Sequence, residues 1–177
     1  MVKINLGCGK RNFGKDWIHI DGGNFDHLDS NDIIDFPYNN VKLLYVSHVI
    51  AYFDRQEIIP ILKKWKRKLS VNGTLRISTP DFSQIQKLYN SKKFKLENFL
   101  GPLYGKMKMK NKFIYHKTVY DKESLSALLN SIGFRNIKEW SHKNVSHGNF
   151  DDHSQAYLPH FDKKNGTLIS VNLECVK

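Results

Sequence analysis

Hydrophobic and polar positions along the first third of the chain change from the period of a strand to the period of a helix. The alternating stretch Val2–Leu6 and the β-branched and aromatic stretch Trp17–Ile20 predict two short strands. The largely apolar run in Val41–Ile50 predicts a buried parallel strand. Apolar residues at helical spacing then follow Asp54, a residue type suited to cap the start of a helix. The chain therefore opens as three strands followed by a helix.

The second part of the chain continues this pattern. The stretch Thr74–Pro80 predicts a strand that ends at its proline, and Asp81 and Asp121 each begin a predicted helix, the second of which ends at Gly133. The sequences FRNIKEW and TLISVNLECV predict two closing strands. Strands that alternate with helices indicate the α/β class with a mainly parallel sheet, and the ending of the chain predicts an added antiparallel strand.

Composition indicates a single domain. The 177 residues are 40% hydrophobic and 25% charged, which is typical of a globular protein with a real core. No internal repeat or flexible linker interrupts the chain, so residues 1–177 are predicted to form one domain. The segment Asn90–Thr118 is less regular and strongly basic, and we interpret it as an insertion over the carboxyl edge of the sheet.

The net charge of +11 suits nucleic acid, a phosphorylated metabolite or an anionic surface as a partner. Much of the excess is lysine, in a composition that an AT-rich genome also produces, so charge alone is weak evidence for nucleic acid. No apolar run approaches the roughly 20 residues of a membrane span, and the chain starts without a leader pattern. We therefore expect a cytoplasmic protein. Cys8 and Cys175 lack partners at metal-ligand spacing and are expected to be buried thiols.

The opening sequence INLGCGKRNFGKDWIHID contains a candidate nucleotide site. Gly7 and Gly9 follow the first strand, where glycine lets the backbone approach a ligand closely. Asp21 ends the next strand, where a carboxylate can accept both ribose hydroxyls. A dinucleotide fold would require a third glycine where Asn12 stands, so a dinucleotide oxidoreductase is disfavoured.

Ordered stretches from nearly the whole chain resemble the class I S-adenosylmethionine (SAM)-dependent methyltransferases. The resemblance is closest to a compact subgroup that opens L-N-L-G-C-G and continues G-W-x-N-x-D. The matching stretches are INLGCGKRNFGKDWIHID, DIIDFPY, LLYVSHVIAYF, LSVNGTLRISTPDF, YDKESLSALLNSIGFRNI and TLISVNLECVK. This chain departs from the subgroup at Lys42, where aspartate is usual, and at Ala51 and Tyr52, which replace Glu-His. The resemblance implies a Rossmann-like, doubly wound, mostly parallel seven-stranded sheet with an antiparallel C-terminal strand.

The resemblance also implies SAM as the cofactor and S-adenosylhomocysteine as the product. The implied cofactor-binding residues are Leu6, Gly7, Cys8, Gly9, Asp21, Asp32, Ile33, Ser47 and His48. The first four would face the methionine part through their backbone, and Asp21 would bind the ribose. Asp32 would accept from the adenine amino group while the next amide donates to a ring nitrogen, although Asp35 is an alternative and Asp32 could instead cap a turn. Ser47 and His48 would lie beside the methyl group.

Methyl transfer to a hydroxyl or amine needs a group that takes up a proton, and histidine suits neutral pH. His48, His116 and His153 are the candidate bases, although His48 and His116 are as well explained by a structural or surface role. The stretch HGNFDDHS combines two histidines with two carboxylates, but its spacing is more typical of a polar loop than of a metal site. We therefore predict no metal and keep Asp152 and His153 as candidates on the substrate side.

The acceptor class is not encoded in a motif. Compact relatives of this kind often accompany glycan pathways, so the first expectation is a small molecule, with anionic compounds included, such as a sugar or sugar-nucleotide hydroxyl or amine. One alternative is an RNA or DNA methyltransferase that uses the basic stretch Lys106–Lys117 with Phe113 and Tyr115 interleaved, although the sequence SHVI stands where amino-methylating enzymes carry N/D-P-P-Y/F. Another alternative is a non-catalytic domain that binds SAM or a partner.

Overall fold

The computed structural model describes residues 1–29 and 32–177. The strands in this part of the chain are β1 (Val2–Leu6), β2 (Ile18–Ile20), β3 (Val41–Ser47), β4 (Leu69–Pro80), β5 (Met107–Met109), β6 (Lys112–Ile114), β7 (Arg135–Glu139), β8 (Tyr157–Leu158), β9 (Thr167–Leu168) and β10 (Ser170–Val176). The α-helices are α1 (Ile58–Lys68), α2 (Phe82–Asn90), α3 (Glu97–Tyr104) and α4 (Lys122–Ser131). No helix among these described residues is long and apolar enough to cross a bilayer.

The central sheet has the strand order β2-β1-β3-β4-β10-β7. Strands β2, β1, β3 and β4 run parallel to one another, whereas β10 is antiparallel to both of its neighbours, β4 and β7. The predicted α/β class, the mostly parallel sheet and the antiparallel C-terminal strand are therefore confirmed.

The predicted number of strands was wrong, because the central sheet of the described chain has six strands rather than seven. Twenty residues separate the end of β2 from the start of β3. A parallel strand needs a crossover of about a dozen residues or more on each side, so two crossovers and an extra edge strand do not fit into this segment. The DIIDFPY stretch forms bends and turns instead.

One face of the sheet packs against α1 and α4. Alternation along β3 places Leu44 and Val46 in this large core, whereas Tyr45 between them belongs to a second cluster on the opposite face. From the helices, Trp65 of α1 and Leu125 of α4 are fully buried in the large core. This two-sided burial explains why β3 is almost continuously apolar.

The opposite face is covered by irregular chain rather than by a long helix. The second cluster there contains Phe13, Trp17, Tyr45 and Trp140. Short 3₁₀ turns between residues 142 and 155 pack over it and contribute the buried His147, whose ring lies 4.4 Å from that of Tyr45. These turns bring the chain back toward the carboxyl edge of the parallel strands.

The segment Asn90–Thr118 contains α3 and a hairpin formed by β5 and β6. Phe99 of α3 packs with Ile85 of α2 and Leu158 of β8 in a third, smaller hydrophobic cluster. This cluster anchors the segment beside the carboxyl ends of the central strands.

Candidate active site

A cavity of about 1010 Å³ lies at the carboxyl edge of the parallel strands. Gly7 and Gly9 line it after β1, Asp21 after β2, and Ser47 and His48 at the end of β3. These residues meet because parallel strands end at the same edge, which is where α/β sheets bind ligands. The volume lies at the upper end of the range of about 300–1,000 Å³ that is typical of small-molecule sites, so a cofactor and a second small molecule fit together.

The turn after β1 requires glycine at its first position. Gly7 has φ +69°, and a Cβ built there would overlap the Cγ2 atom of Val49. Gly9 has φ +55°, and the nearest atom that a Cβ there would meet is Nη1 of Arg11, at 4.0 Å. The backbone at Gly9 is therefore open toward the cavity, so that a ligand can approach it closely.

Asp21 is buried and connects the end of β2 to the glycine turn. Its Oδ2 accepts a hydrogen bond from the Gly9 amide at 2.9 Å, and its Oδ1 accepts one from the Gly23 amide at 2.6 Å. Each carboxylate oxygen can accept more than one hydrogen bond. The side chain is thus held in a fixed orientation at the cavity, as a ribose-binding carboxylate needs to be.

Two of the predicted cofactor residues direct their side chains elsewhere. The side chain of Leu6 is fully buried in the large core. The thiol of Cys8 is buried 3.8 Å from Nε2 of His27, and burial raises the pKa of this thiol to about 12. Neither residue is among those that line the cavity, so a contact of their backbone with the methionine part stays a prediction. The Cys8 thiol is inert at neutral pH.

The stretch predicted to bind adenine is divided between the cavity and the surface. Ile33 lines the cavity. Asp32 is exposed, and its Oδ1 accepts hydrogen bonds from the amides of Ile34 (2.8 Å) and Asp35 (2.9 Å). Asp35 forms a surface ion pair with Lys68 at 3.3 Å. Asp32 therefore caps a turn here, and its contact with adenine stays a prediction.

His48 is held in an unusual backbone conformation at the end of β3. Its φ of +53° lies in the left-handed region, which non-glycine residues adopt rarely and often at functional sites. Its Nε2 lies 2.8 Å from Oγ of Ser170, and this hydroxyl donates to the carbonyl of Thr79 at 3.3 Å. This contact engages Nε2 of His48, and the tautomer of the ring decides which of the two partners donates.

The other two predicted histidines reach the same cavity. The ring of His153 stacks on that of His48 with centroids 5.3 Å apart. His116 donates from Nδ1 to the carbonyl of Pro102 at 3.1 Å, and its ring lies edge-on to Tyr52 at 4.6 Å. Burial lowers the pKa of all three histidines, most strongly that of His48, whose pKa is lowered further by the positive charge that His153 and His116 can carry.

Asp152 does not line the cavity. It is buried, and its Oδ2 accepts a 2.5 Å hydrogen bond from the hydroxyl of Tyr45. Its Oδ1 accepts from the amide and the hydroxyl of Ser154 at 2.8 and 2.6 Å. Its role is therefore to fix the loop that presents His153, rather than to contact a substrate as the sequence suggested.

Two further cavity residues were not predicted from the sequence. Arg11 is half-buried beside the glycine turn, its Nε donates to the carbonyl of Asp151 at 3.0 Å, and its charge helps to lower the pKa of His48 and His153. The hydroxyl of Tyr52 donates to the carbonyl of Gly105 at 2.6 Å. The sequence held one signal for each residue. Arg11 is a basic residue that closely follows the two glycines, and Tyr52 stands where the resembled subgroup carries the histidine of Glu-His.

The outer wall of the cavity is largely apolar. It is formed by α3, the β5–β6 hairpin and the loop around β8, and includes Leu100, Pro102, Met107, Met109 and Tyr157. A Cβ added at Gly22 would lie 3.3 Å from the sulfur of Met109, so the hairpin reaches the end of β2 beside Asp21. In residues 1–29 and 32–177, no group of three or more His, Cys, Asp or Glu side chains is arranged to hold a metal ion.

No family model matches the chain, and no curated protein sequence matches it. Solved structures do: a SAM-dependent methyltransferase from Archaeoglobus fulgidus has a TM-score of 0.61 at 15% identity, covering 99% of this chain and 86% of its own. The SAM-dependent methyltransferase SibL has a TM-score of 0.52 at 11% identity, with 86% of this chain and 36% of SibL covered. A complex of DhpI with S-adenosylhomocysteine has a TM-score of 0.52 at 7% identity, with coverage of 90% and 64%. The chain therefore has the fold of SAM-dependent methyltransferases.

Proposed function

We propose that this protein is a SAM-dependent methyltransferase of class I, and that residues 1–177 act as one catalytic domain. The observation that carries the proposal is the buried carboxylate of Asp21, which is hydrogen-bonded to Gly9 and lines a cavity in a chain with a methyltransferase fold. A plain tight turn would not need a buried carboxylate at the end of the neighbouring strand.

The residues at the edge of the sheet fit this cofactor. Asp21 would accept the ribose hydroxyls, and the open backbone at Gly9 would face the methionine part. Arg11 lies next to Gly9 and would pair with the carboxylate of the methionine part. Ile33 would pack against adenine, with Asp32 beside it.

The chemistry needs few protein groups, since bound SAM supplies the methyl group and its own leaving group. The residues of this chain have to align an acceptor and take up its proton. We propose that His48 takes up this proton at Nδ1, in the tautomer whose Nε2 donates to Ser170. The low pKa of His48 keeps it neutral, and therefore able to accept a proton, across the physiological range. His153 and His116 lie close enough to share this role.

The acceptor would lie under α3, the hairpin and the loop with His153, where the cavity continues beyond the cofactor residues. We propose a small molecule with a hydroxyl or amine. A sugar or sugar nucleotide remains the first candidate, because tyrosine rings such as Tyr157 can pack against a sugar while their hydroxyls bond to it.

Calorimetric titration with SAM, S-adenosylhomocysteine and NAD tests the proposal. We expect the first two to bind and NAD not to bind. Asp21→Ala should weaken SAM binding more than tenfold, because the ribose hydroxyls lose their partner. Asp16→Ala is the matched control, since Asp16 is exposed and does not line the cavity, and it should leave SAM affinity unchanged. Tight binding of SAM by Asp21→Ala would refute the ribose assignment, and absence of binding by the wild type would refute the cofactor.

A further inference from the structure

The segment that covers the cavity concentrates positive charge. Residues 91–118 hold eight lysines and one glutamate, and so contribute +7 of the formal net charge of +11. A lysine-rich composition spread evenly along the chain would not produce this concentration. The charge therefore belongs to one part of the surface.

The charges of these lysines are directed to solvent. All eight side chains are exposed. Lys117 forms an ion pair with Glu57 at 2.8 Å, and the ammonium of Lys106 lies 4.6 Å from the ring centroid of Phe113. For the other six, the described part of the chain provides no ion pair. A large anionic partner could therefore bind them without breaking internal contacts.

The same segment exposes large apolar side chains. Leu96, Leu100 and Tyr104 are 51%, 40% and 59% exposed and, at intervals of four residues, lie on one face of α3. Phe99, which points to another side of the helix, is 1% exposed and belongs to the third cluster. Leu100 and Tyr104 also line the cavity, so this apolar stripe borders its mouth.

The hairpin has the same two-faced character. Met107, Met109 and Ile114 line the cavity. Lys108 is paired with Phe113 across the hairpin, and strand alternation turns both to the outer side. Phe113 is 56% exposed. The outer side of the hairpin thus presents an aromatic ring flanked by lysines next to the stripe on α3.

We propose that this surface, which we call the roof surface (residues 92–113), docks on an anionic lipid bilayer. Exposed leucine and aromatic side chains surrounded by lysine are the combination that lies in a membrane interface and is attracted by anionic headgroups. The roof surface meets the lipid with the mouth of the cavity at its edge, so acceptors present in the bilayer lie near the cavity. Docking does not depend on the proposed methyl transfer and can be measured without SAM.

Two other anionic partners explain the surface less well. A small anionic ligand in the cavity would contact one lysine of the segment, because Lys106 is the lysine that lines it. A single-stranded nucleic acid would use the lysines and the aromatic rings, but aliphatic side chains such as Leu96 and Leu100 offer no face on which a base can stack. A bilayer accounts for the lysines, the aromatic rings and the leucines together.

Co-sedimentation with vesicles tests the proposal. The protein should bind vesicles of phosphatidylcholine containing phosphatidylglycerol, bind phosphatidylcholine alone weakly, and lose affinity as salt is added. The triple change of Lys93, Lys108 and Lys110 to Gln should lower the affinity at least about tenfold, because each lysine near an anionic surface contributes to binding. The control is the triple change of Lys15, Lys42 and Lys63 to Gln, which removes the same charge from exposed lysines elsewhere. It should have little effect on vesicle affinity.

The apolar contribution is tested separately. Leu96→Gln with Leu100→Gln should lower vesicle affinity roughly tenfold while leaving its salt dependence unchanged. The control is Ile59→Gln with Val71→Gln, which changes two exposed apolar residues elsewhere. Circular dichroism should show all variants folded, since every changed side chain is exposed.

A fluorescence measurement locates the contact directly. The native tryptophans, Trp17, Trp65 and Trp140, are all buried. In Phe113→Trp, vesicles with brominated acyl chains should therefore quench the new fluorophore and leave the wild-type emission almost unchanged. Failure to bind anionic vesicles would overturn the proposal. A second result would also overturn it: the leucine double variant binds vesicles as tightly as the wild type, and a single-stranded oligonucleotide binds the protein as tightly as the vesicles do. The surface would then recognise polyanions in general.

Discussion

At the residue scale, the proposed role of His48 requires that Nε2 donates the hydrogen bond to Ser170 and that Nδ1 carries the lone pair. Long-range ¹H–¹⁵N NMR spectra of wild-type protein should show His48 protonated on Nε2 alone. This state should persist as the pH falls from about 8 to about 6, because burial holds the pKa of His48 well below its usual value. Ser170→Ala removes the acceptor and should yield a mixture of tautomers, whereas Ser170→Thr keeps the hydroxyl and should preserve the wild-type state.

Ser47→Ala is the control for this experiment. Ser47 also lines the cavity, but its hydroxyl accepts from Ser78 at 3.0 Å rather than from His48. The substitution should leave the tautomer of His48 unchanged. A wild-type His48 protonated on Nδ1 would contradict the assignment, and the histidine could not then accept a proton at that atom.

The position of Arg11 leads to a second prediction at this scale. Arg11→Met should weaken SAM binding at least about tenfold, because a charge-assisted hydrogen bond to the methionine carboxylate contributes about 1.5–3 kcal/mol. Binding of 5′-methylthioadenosine, which lacks that carboxylate, should be unchanged, and calorimetry measures both ligands. Lys10→Met, an exposed neighbour, is the control. Equal losses for the two ligands would mean that Arg11 acts through the fold of the loop.

Several cavity residues could be predicted because the carboxyl ends of parallel strands meet at one edge. This argument places Gly7, Asp21 and His48 together, and all three line the cavity. It says nothing of Arg11, whose position depends on a hydrogen bond to a carbonyl 140 residues away. Asp32 also shows the limit of the argument, since its side chain accepts hydrogen bonds from the amides of Ile34 and Asp35 in its own turn.

At the scale of elements, the glycine turn that follows β1 packs closely against Val49, which lies just after β3. Gly7→Ala should lower both stability and SAM affinity, because the new methyl group would overlap Val49 and alanine disfavours the φ of +69°. The clash and the backbone strain should each cost about 1–2 kcal/mol of unfolding free energy, measured by denaturant titration.

The double variant Gly7→Ala with Val49→Ala separates these two effects. Removing the Val49 side chain relieves the clash but not the strain at φ +69°. Gly7→Ala should therefore lower the free energy of unfolding less in the Val49→Ala background than in the wild-type background. Gly14→Ala is the control for strain, because Gly14 has φ +93° and a Cβ there meets no atom within 4 Å. Equal costs of Gly7→Ala in the two backgrounds would show that packing against Val49 is unimportant.

The elements themselves were predictable to the extent that one face of each is buried. β1 has its predicted bounds, Val2–Leu6, because its alternating pattern faces the large core. The last predicted strand divides into two, β9 and β10. The amide of Ile169, between them, donates to the carbonyl of Ala156 at 2.8 Å, a contact from outside the strand that no periodicity in the sequence encodes.

At the scale of the whole molecule, folding buries histidines in their neutral form. Six of the eight histidines have a pKa lowered by burial. The shift is large for His147, whose pKa falls to about 4 because the ring is buried and lies near the charge of Arg76. Its ring is enclosed by the aromatic cluster on the sheet face that lacks a long helix, so this histidine belongs to the core rather than to the cavity.

The pH dependence of stability follows from this burial. Between about pH 6.5 and pH 4 the unfolded chain binds a proton at His147 that the folded protein does not, so stability falls with falling pH across this window. From pH 7 to pH 5 the free energy of unfolding should drop by about 2 kcal/mol through His147 alone, as denaturant titration would measure. His147→Gln, which keeps an acceptor for Arg76, should remove that part of the slope, whereas His160→Gln at an exposed position should not. If His147→Gln left the pH dependence of the unfolding free energy unchanged, the loop over the aromatic cluster would open in acid before the rest of the molecule unfolds. The irregular chain on this face of the sheet would then be less stable than the helices that pack on the other face.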